Sequence, residues 1–527
     1  MPPLAECVLI AMRDSLAHRG PDDVGSMRAP GVALGCRRLA ILDLSSNGHM
    51  PMSTPDGRYH IVYNGEIYNY RSLRAPLEDR GHRFRSNTDT EVLLYLYAQQ
   101  GPAMLDLLNG MFAIAIWDTH RRELFLARDR LGVKPLFYAE TGGKLYFASE
   151  QKALRAAGVP GTFDTATWEE LLCFRFVAGE RTPYAGVKRL LPGHFLLWRD
   201  GAQRQHRWWS LAARAAALRD EPPRDARGWF AATFDDSVSA CRISDVPVGV
   251  LLSGGLDSGS VAASLALRAG AGAASFTVRF DEPAYDEGDV ARALANRWEL
   301  DHHEFWVSRS DLANGLRRAS LFNDEPLAHG NELHILAISE YAKPFVTVLL
   351  SGEGSDEVLG GYVRYGILRA PSLVGLAGAL LAPLGRVVPV SRRLEKLAWF
   401  ASLRAPHRFV LFNACNVLPG DLEQIGFTPT WEFPYREQVL DEARQAYPGD
   451  LFRQAMYSDQ HTFLCSLLDR NDRMTMGASI ECRVPFLDYR LVERLASLPS
   501  AKLLSMFRSK HLLRTSLGER LPRRVQR

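Results

Sequence analysis

Short apolar and alternating runs recur through the first 150 positions of this 527-residue chain. They predict strands at residues 58–62, 111–117 and 123–127. The polar residues 118–121 lie between the last two runs, which is typical of a turn between paired strands. We therefore expect the first half of the chain to be rich in sheet.

A different pattern begins near residue 246, where apolar runs alternate with helical stretches. The runs predict strands at residues 246–252, 274–280 and 345–350, and alanine and leucine at helical spacing predict a helix over 258–268. Strands that alternate with helices build a parallel sheet flanked by helices. Beyond about residue 390 the pattern is mostly helical.

The composition changes to alanine, arginine, aspartate and a Pro-Pro pair between residues 208 and 229. Such a stretch is typical of an exposed connection between domains, and the length of the chain also favours two or three domains. We therefore predict a first domain over residues 1–208, a linker over 209–225 and a second domain over 226–527.

Charge and cysteine content exclude several classes of protein. The 63 Lys and Arg residues nearly balance the 60 Asp and Glu residues, so the net charge is only +3. No large field of one sign is present to attract nucleic acid or a membrane surface. The seven cysteines form no C-x-x-C pair, which argues against a disulfide framework or a zinc site and favours the cytoplasm.

Targeting and membrane signals are also weak. The first residues are neither basic nor followed by a signal-like apolar core. The most apolar later stretch, residues 373–384, is interrupted by a proline and is shorter than the roughly 20 residues needed to cross a bilayer. We predict a buried helix there.

A polar loop at residues 253–258, with the sequence Ser-Gly-Gly-Leu-Asp-Ser, joins the strand predicted at 248–252 to the following helix. Backbone N–H groups at a helix N-terminus are free to bind anions. The sequence contains no G-x-x-x-x-G-K-[ST] motif, so a Walker-type phosphate loop is excluded. We interpret the loop as a pyrophosphate cradle and the chemistry as adenylation by ATP.

A second loop, residues 351–357, follows the strand predicted at 346–350 and reads Ser-Gly-Glu-Gly-Ser-Asp-Glu. Two loops at the C-terminal ends of parallel strands belong beside one crevice. A carboxylate that faces a triphosphate is repelled unless a divalent cation lies between them, so Asp257 and Asp356 are predicted Mg²⁺ ligands.

Both loops, together with residues 481–488, carry a resemblance to a known family. The first loop resembles the pyrophosphate loop of N-type ATP pyrophosphatases, and the set resembles the synthetase half of glutamine-dependent asparagine synthetases. The resemblance implies an α/β parallel-sheet, adenine-nucleotide α-hydrolase-like domain. It also implies that Glu353 is the base that deprotonates ammonia and that Lys510 stabilises the negative charge of pyrophosphate and of the reaction intermediate. The residues that it implies at the ATP and pyrophosphate site are Leu251, Ser253, Gly254, Gly255, Asp257, Ser258, Val278, Ser351 and Gly352.

Motifs in the first half resemble a class II, N-terminal-nucleophile glutaminase, an αββα sandwich. The motifs are residues 18–23, 38–41, 64–69, 86–91 and 127–135. The resemblance implies that Arg38 binds the glutamine carboxylate and that Glu66 and Asp89 bind its amino group. Asn64 and the Gly65 N–H would form the oxyanion hole. Each contact pairs opposite charges, or a donor with a developing oxyanion.

The start of the chain departs from that family, which begins Met-Cys-Gly-Ile and uses the exposed cysteine as its nucleophile. This chain begins Met1-Pro2. Cys7 lies only eleven residues before His18 and lacks the Gly-Ile continuation, so we interpret it as a core or surface thiol. We expect a chain truncated at both ends that hydrolyses no glutamine, with a natural ammonia-dependent enzyme as the alternative.

The acceptor carboxylate is expected to be aspartate, converted to asparagine with glutamine or free ammonia as nitrogen donor. Residues 323–330 correspond to a stretch that helps form the aspartate pocket in some relatives, but no arginine or threonine lies there. The alternatives are another carboxylate, such as a surface-polysaccharide uronate, or an inactive fragment. Glu353 argues against β-lactam formation, because those relatives carry tyrosine there. ATP and Mg²⁺ are the expected cofactors, and a homodimer is compatible with the sequence.

Overall fold

The structure is a computed structural model that describes residues 5–369, 395, 399, 410–412, 414–415, 417–505 and 508–526. The helix predicted at 373–384 lies outside these residues. The strands are β1 (Asp23–Ala29), β2 (Val32–Arg38), β3 (Met52–Ser53), β4 (Tyr59–Ile67), β5 (Gly110–Asp118), β6 (Glu123–Arg128), β7 (Phe137–Thr141), β8 (Lys144–Ala148), β9 (Val187–Arg189), β10 (His194–Arg199), β11 (Ala202–Arg207), β12 (Val248–Leu251), β13 (Ala274–Phe280), β14 (Asp301–Val307), β15 (Val348–Leu350) and β16 (Glu481–Arg483).

The helices follow the same chain order. They are α1 (Glu6–Asp14), α2 (Tyr70–Asp79), α3 (Asp89–Gln100), α4 (Gln151–Ala156), α5 (Trp168–Phe174), α6 (Leu211–Leu218), α7 (Ala226–Cys241), α8 (Leu256–Ala269), α9 (Gly288–Arg297), α10 (Arg309–Asn323), α11 (Glu332–Ala342), α12 (Ser355–Leu359), α13 (Pro419–Gln424), α14 (Pro434–Ala446), α15 (Leu451–His461), α16 (Phe463–Gly477), α17 (Tyr489–Ser497), α18 (Ser500–Leu503), α19 (His511–Leu517) and α20 (Arg523–Gln526). No helix within the described ranges has the length and apolar character that a membrane span requires.

The first half has four layers. Successive side chains of β5 point to opposite faces of a six-stranded sheet with the order β11-β10-β6-β5-β4-β3. Phe112, Ile114 and Ile116 pack with α3, whereas Ala113 and Ala115 pack with β2 and β7. The opposite face of β7 packs with α4. The layers therefore run helix, sheet, sheet, helix, and the predicted αββα sandwich is confirmed.

The second half contains a five-stranded sheet whose strand order is β14-β13-β12-β15-β16. Every neighbouring pair is parallel. The predicted strands at 246–252, 274–280 and 345–350 form β12, β13 and β15, so the predicted α/β class is confirmed. The sequence pattern did not indicate β14 or β16, because the first is rich in polar residues and the second has only three residues.

One hydrophobic core joins the two halves. Buried Met111, Phe174 and Phe176 from the first half belong to the same cluster as the helices that flank the parallel sheet. Within the predicted linker, 209–225, helix α6 buries Leu211 and Ala215 and packs against α17. The first part of this segment is therefore packed, whereas residues 219–225 are mostly exposed.

Candidate active site

Two loops leave the carboxyl edge of the parallel sheet side by side. Strands β12 and β15 are neighbours, with Val250 opposite Leu350. On one side of β12 the chain continues to β13 and β14, and on the other side lies β15, so the strand order reverses at this point. Open α/β sheets bind ligands where the order reverses, outside the carboxyl ends of the strands. The loops predicted at 253–258 and 351–357 meet at that position.

The first loop opens helix α8 with its backbone donors uncapped. Gly255 is the N-cap residue and no side chain caps this end of the helix. The Ser258 hydroxyl accepts a hydrogen bond of 3.0 Å from the Ser253 N–H and lies 2.8 Å from the Ser253 hydroxyl, which folds the loop back on the helix. The first N–H groups of a helix carry a partial positive charge, so this end is built to receive an anion.

The second loop packs directly against the first. A Cβ on Gly352 would lie 2.9 Å from the Ser258 nitrogen, so only glycine permits this approach. The Ser355 hydroxyl donates a hydrogen bond of 2.8 Å to Asp257 Oδ1. The two predicted phosphate loops therefore form a single surface.

Lys510 joins the two predicted metal ligands. Its ammonium lies 2.5 Å from Asp257 Oδ2 and 2.6 Å from Asp356 Oδ1. Burial acts to lower the pKa of Lys510, but the two carboxylates outweigh it and the pKa ends above its ordinary value. Burial and the nearby Asp356 charge raise the pKa of Asp257, against the opposing effect of Lys510.

The same two carboxylates provide a partial fit for a divalent cation. Their oxygens converge on one positive charge, and carboxylate oxygens are the ligands that Mg²⁺ prefers. Across the described ranges, no group of three or more His, Cys, Asp or Glu side chains is arranged to hold a metal. A cation here would therefore need further oxygen ligands besides these two carboxylates.

Two predicted adenosine contacts lie on adjacent strands. Leu251 ends β12 and Val278 lies on β13, and both pack partly against the same apolar cluster, which includes Ile338 and Ala342 of α11. They therefore share one face of the sheet close to its carboxyl edge.

Glu353 has a partner that the sequence did not indicate. Arg470 Nη2 donates a hydrogen bond of 2.6 Å to Glu353 Oε1. Arg470 belongs to a charged run at residues 469–473 of α16. Every residue of that run is buried, and Asp469 and Asp472 pair with Arg128 and Lys134 of the first half. The run is thus an electrostatic contact between the halves.

All five predicted glutamine-binding residues line one large cavity in the first half. The cavity has a volume of about 970 Å³ and lies between the two sheets; the residues are Arg38, Asn64, Gly65, Glu66 and Asp89. Among the described residues, Asn64 Nδ2 and Glu66 Oε1 are buried without a hydrogen-bond partner. Buried polar atoms without partners are costly, so these two atoms are poised for a ligand.

Two charged residues that line this cavity, Arg38 and Asp89, are held in place by hydrogen bonds. The Arg38 guanidinium donates hydrogen bonds to the carbonyls of Leu42 and Asp43, at 2.8 and 2.7 Å. Asp89 Oδ2 accepts hydrogen bonds from the Tyr63 hydroxyl and the Ile67 N–H. Burial raises the pKa of Asp89 to about 6.

Arg483 connects the glutamine cavity to the second half. Its Nη2 donates a hydrogen bond of 2.8 Å to Glu66 Oε2, and its Nε donates one to Glu481. The Ser351 N–H donates to the Arg483 carbonyl at 2.9 Å. Burial raises the pKa of Glu66, although Arg483 opposes that shift. One residue of β16 therefore contacts both a predicted glutamine ligand and the start of the second phosphate loop.

The fold and the two sites together define a class of protein, a glutamine amidotransferase domain followed by an ATP-dependent synthase domain. Family models agree: residues 4–209 match the glutamine amidotransferase domain and residues 230–527 match asparagine synthase. The chain belongs to the asparagine synthase family, a family of ligases.

Curated relatives match almost the whole chain. Asparagine synthetase [glutamine-hydrolyzing] 3 of Bacillus subtilis is 34% identical, over 97% of this chain and 81% of the relative. Asparagine synthetase [glutamine-hydrolyzing] 1 of the same organism is 33% identical, over 98% and 81%. Amidase chyE of Penicillium rubens is 29% identical, over 96% and 81%.

A solved structure of glutamine phosphoribosylpyrophosphate amidotransferase from B. subtilis is a weaker match. It is 15% identical with a TM-score of 0.30, over 69% of this chain and 74% of that chain, and no inference rests on it.

Proposed function

We propose that the protein converts aspartate to asparagine at the expense of ATP, through an acyl-adenylate. Family membership and the names of the two B. subtilis relatives support this reaction. The observation that carries the proposal is the convergence of both phosphate loops on Lys510, with Glu353 in the second loop. An uncapped helix end, an ammonium group and a carboxylate thus meet at one edge of the sheet, and this supports the proposal.

The chemistry has two steps. A carboxylate oxygen of the acceptor attacks the α-phosphorus of ATP, the bond between the α- and β-phosphates breaks, and pyrophosphate leaves. Ammonia then attacks the acyl carbon, its extra proton passes to a base, and the bond to AMP breaks. Oriented donors at a helix N-terminus stabilise the charge that develops on the phosphates.

Residues 253–258 and Gly352 would cradle the pyrophosphate, and Leu251 and Val278 would contact adenosine. Lys510 would balance the negative charge of pyrophosphate, because its buried ammonium is held at the mouth of both loops. Asp257 and Asp356 would hold Mg²⁺ together with phosphate oxygens, and the ion would neutralise charge between carboxylates and triphosphate.

Glu353 would accept the proton from ammonia. A base must lie within hydrogen-bond reach of the proton it removes, and Glu353 lies in the loop that contacts the nucleotide cradle. Arg470 fixes Glu353 Oε1 at 2.6 Å, and Oε2 would accept the proton.

Glutamine hydrolysis in the first half is the proposed nitrogen source, with free ammonia as the substitute. The five predicted residues that line the large cavity would bind glutamine.

We also propose a cytoplasmic location and a homodimer. Cell fractionation tests the location, and analytical ultracentrifugation tests the homodimer.

The proposed reaction is tested with purified protein, ATP, Mg²⁺, aspartate and ammonium chloride. We expect asparagine and AMP in equal amounts. Glu353→Ala should retain ATP binding and lose amide formation by about 100-fold or more, because a general base contributes about 10²–10⁴-fold. Glu432→Ala, at an exposed glutamate, is the matched control. Unchanged ammonia-dependent turnover in Glu353→Ala would refute the base, and AMP release with a uronate but not with aspartate would refute the acceptor.

A further inference from the structure

A small polar cavity lies next to Arg470, between the two halves of the molecule. It has a volume of about 40 Å³, and its lining includes His329, Glu332, Ser466 and Arg470. Arg470 is also the residue that holds Glu353. Arg470 is thus in contact with both the cavity and the proposed catalytic base.

Glu332 presents an unused carboxylate oxygen in this cavity. The residue is 1% exposed at the start of α11. Glu332 Oε1 accepts hydrogen bonds from the N–H groups of Ala328 and His329, at 3.1 and 3.2 Å. Glu332 Oε2 is buried without a hydrogen-bond partner among the described residues. A buried carboxylate oxygen without a donor is unfavourable, and a ligand that supplies one relieves the cost.

Arg470 presents the complementary group. Two of its nitrogens are used, Nη2 on Glu353 and Nη1 on Asn331 Oδ1 at 2.9 Å. The third, Arg470 Nε, is buried without a partner within the described part of the chain. Among the described residues that line the cavity, Glu332 therefore has an acceptor without a hydrogen-bond partner, and Arg189, Arg470 and Arg473 have donors without one. Of these three arginines, Arg470 is the one that holds Glu353.

We propose that Glu332 Oε2 binds the α-ammonium group of an amino-acid acceptor, with Arg470 Nε facing its α-carboxylate. This inference rests on the proposed amidation at Glu353 and names the group that the acceptor must carry. A zwitterionic head group supplies both missing partners, a cationic donor and an anionic acceptor. About 40 Å³ admits such a small head group or a few waters, whereas a sugar ring needs a larger site.

Glu332 would then be the residue that selects an amino acid over a uronate or a simple dicarboxylate. An acceptor without the amine leaves the buried carboxylate unpaired, and a site built to bind a polar group rejects analogues that lack it. Residues 323–326, by contrast, are used for contacts between the halves, since Arg189 holds Glu325 at 2.6 and 2.7 Å.

The test compares aspartate with succinate, which is aspartate without its amine. AMP release is measured with ammonia as the nitrogen donor for the wild type, Glu332→Gln and Glu332→Asp. Glu332→Gln should lower kcat/KM for aspartate about 30- to 100-fold, mainly by raising KM. The kcat/KM for succinate should stay nearly unchanged. KM for ATP should not change. Glu332→Asp keeps the charge and should recover part of the discrimination.

Glu340→Gln is the matched control, because Glu340 lies on the same helix in a partly exposed pair with Arg318. An aspartate-to-succinate ratio that is the same in Glu332→Gln and the wild type would overturn the inference while amidation of aspartate stands. Wild-type AMP release with neither compound would overturn the proposed function itself. If Glu332→Gln lowers the melting temperature, the aspartate-to-succinate ratio of Glu332→Asp decides. A ratio above that of Glu332→Gln supports the charge contact, and a ratio no higher than that of Glu332→Gln overturns it.

Discussion

Glu357 is an ionisable residue that the proposed reaction does not use. It is 1% exposed at the end of the second phosphate loop, and the Tyr362 hydroxyl donates a hydrogen bond to it. Burial raises its pKa to about 8. The folded protein therefore holds this carboxyl protonated at neutral pH, whereas the unfolded chain ionises it near pH 4.

This difference predicts a pH-dependent stability. A raised folded-state pKa gives a contribution that is complete below the unfolded pKa and is lost as the pH rises through about 8. We expect the melting temperature of the wild type to fall between pH 5 and pH 8.5, and Glu357→Gln to reduce that fall. Differential scanning calorimetry measures both; a fall of the same size in the variant would contradict the assignment.

Gly361 has no side chain, and this leaves room for the contact between Asp356 and Lys510. A Cβ there would lie 1.7 Å from Asp356 Oδ1 and 2.0 Å from Lys510 Cε. Gly361→Ala should displace both groups and raise KM for ATP about tenfold or more, since small displacements at a site cost up to roughly 100-fold. Gly366→Ala is the control, because its Cβ would meet no atom within 4 Å. An unchanged KM in Gly361→Ala would show that this pairing is not needed to bind ATP.

At the scale of elements, the three-residue strand β16 contacts both proposed sites, through Glu66 and Ser351. Arg483 is fully buried between Glu66 and Glu481. Removing one partner of a buried ion pair leaves an unpaired charge, at a cost of about 3–5 kcal/mol.

We expect Arg483→Met to lower the free energy of unfolding by about that amount. The double variant Glu66→Gln with Arg483→Met should recover part of the loss, because it removes the stranded carboxylate. Urea denaturation measures both. Arg444→Met, in the partly exposed pair of Arg444 with Asp441, should change stability by less than about 1 kcal/mol. Equal effects in the buried and the partly exposed pair would contradict this account.

At the scale of the whole molecule, the two halves share a core and buried charges. Asp472 pairs with Arg19 and Lys134, and Glu325 pairs with Arg189. These groups are 8% exposed or less, so each half would strand buried charges if it separated from the other.

We therefore expect one cooperative unfolding transition for the whole chain. In calorimetry the measured enthalpy should equal the van't Hoff enthalpy, although multidomain proteins often depart from this behaviour. Asp472→Asn should lower the temperature of that single transition. Two resolved transitions in the wild type would show that the halves unfold independently.

The sequence predicted much of this architecture where its signals were local. Apolar runs predicted β12, β13 and β15, and alanine and leucine at helical spacing after the polar loop predicted α8. Strand β14 was missed because charged and histidine residues interrupt its apolar pattern. The roles assigned to Glu353, Lys510 and the glutamine-binding residues stay predictions.

The sequence by itself determined which residue types were available: two polar loops after buried strands, a glutamate in the second, and a set of charged residues in the first half. Only the tertiary structure decided their partners. Glu353 and Arg470 are 117 positions apart, Glu66 and Arg483 are 417 apart, and Lys510 lies 253 positions from Asp257. Local periodicity encodes strand and helix, but long-range pairing depends on how the sheet and helices pack, and no spacing along the chain records it.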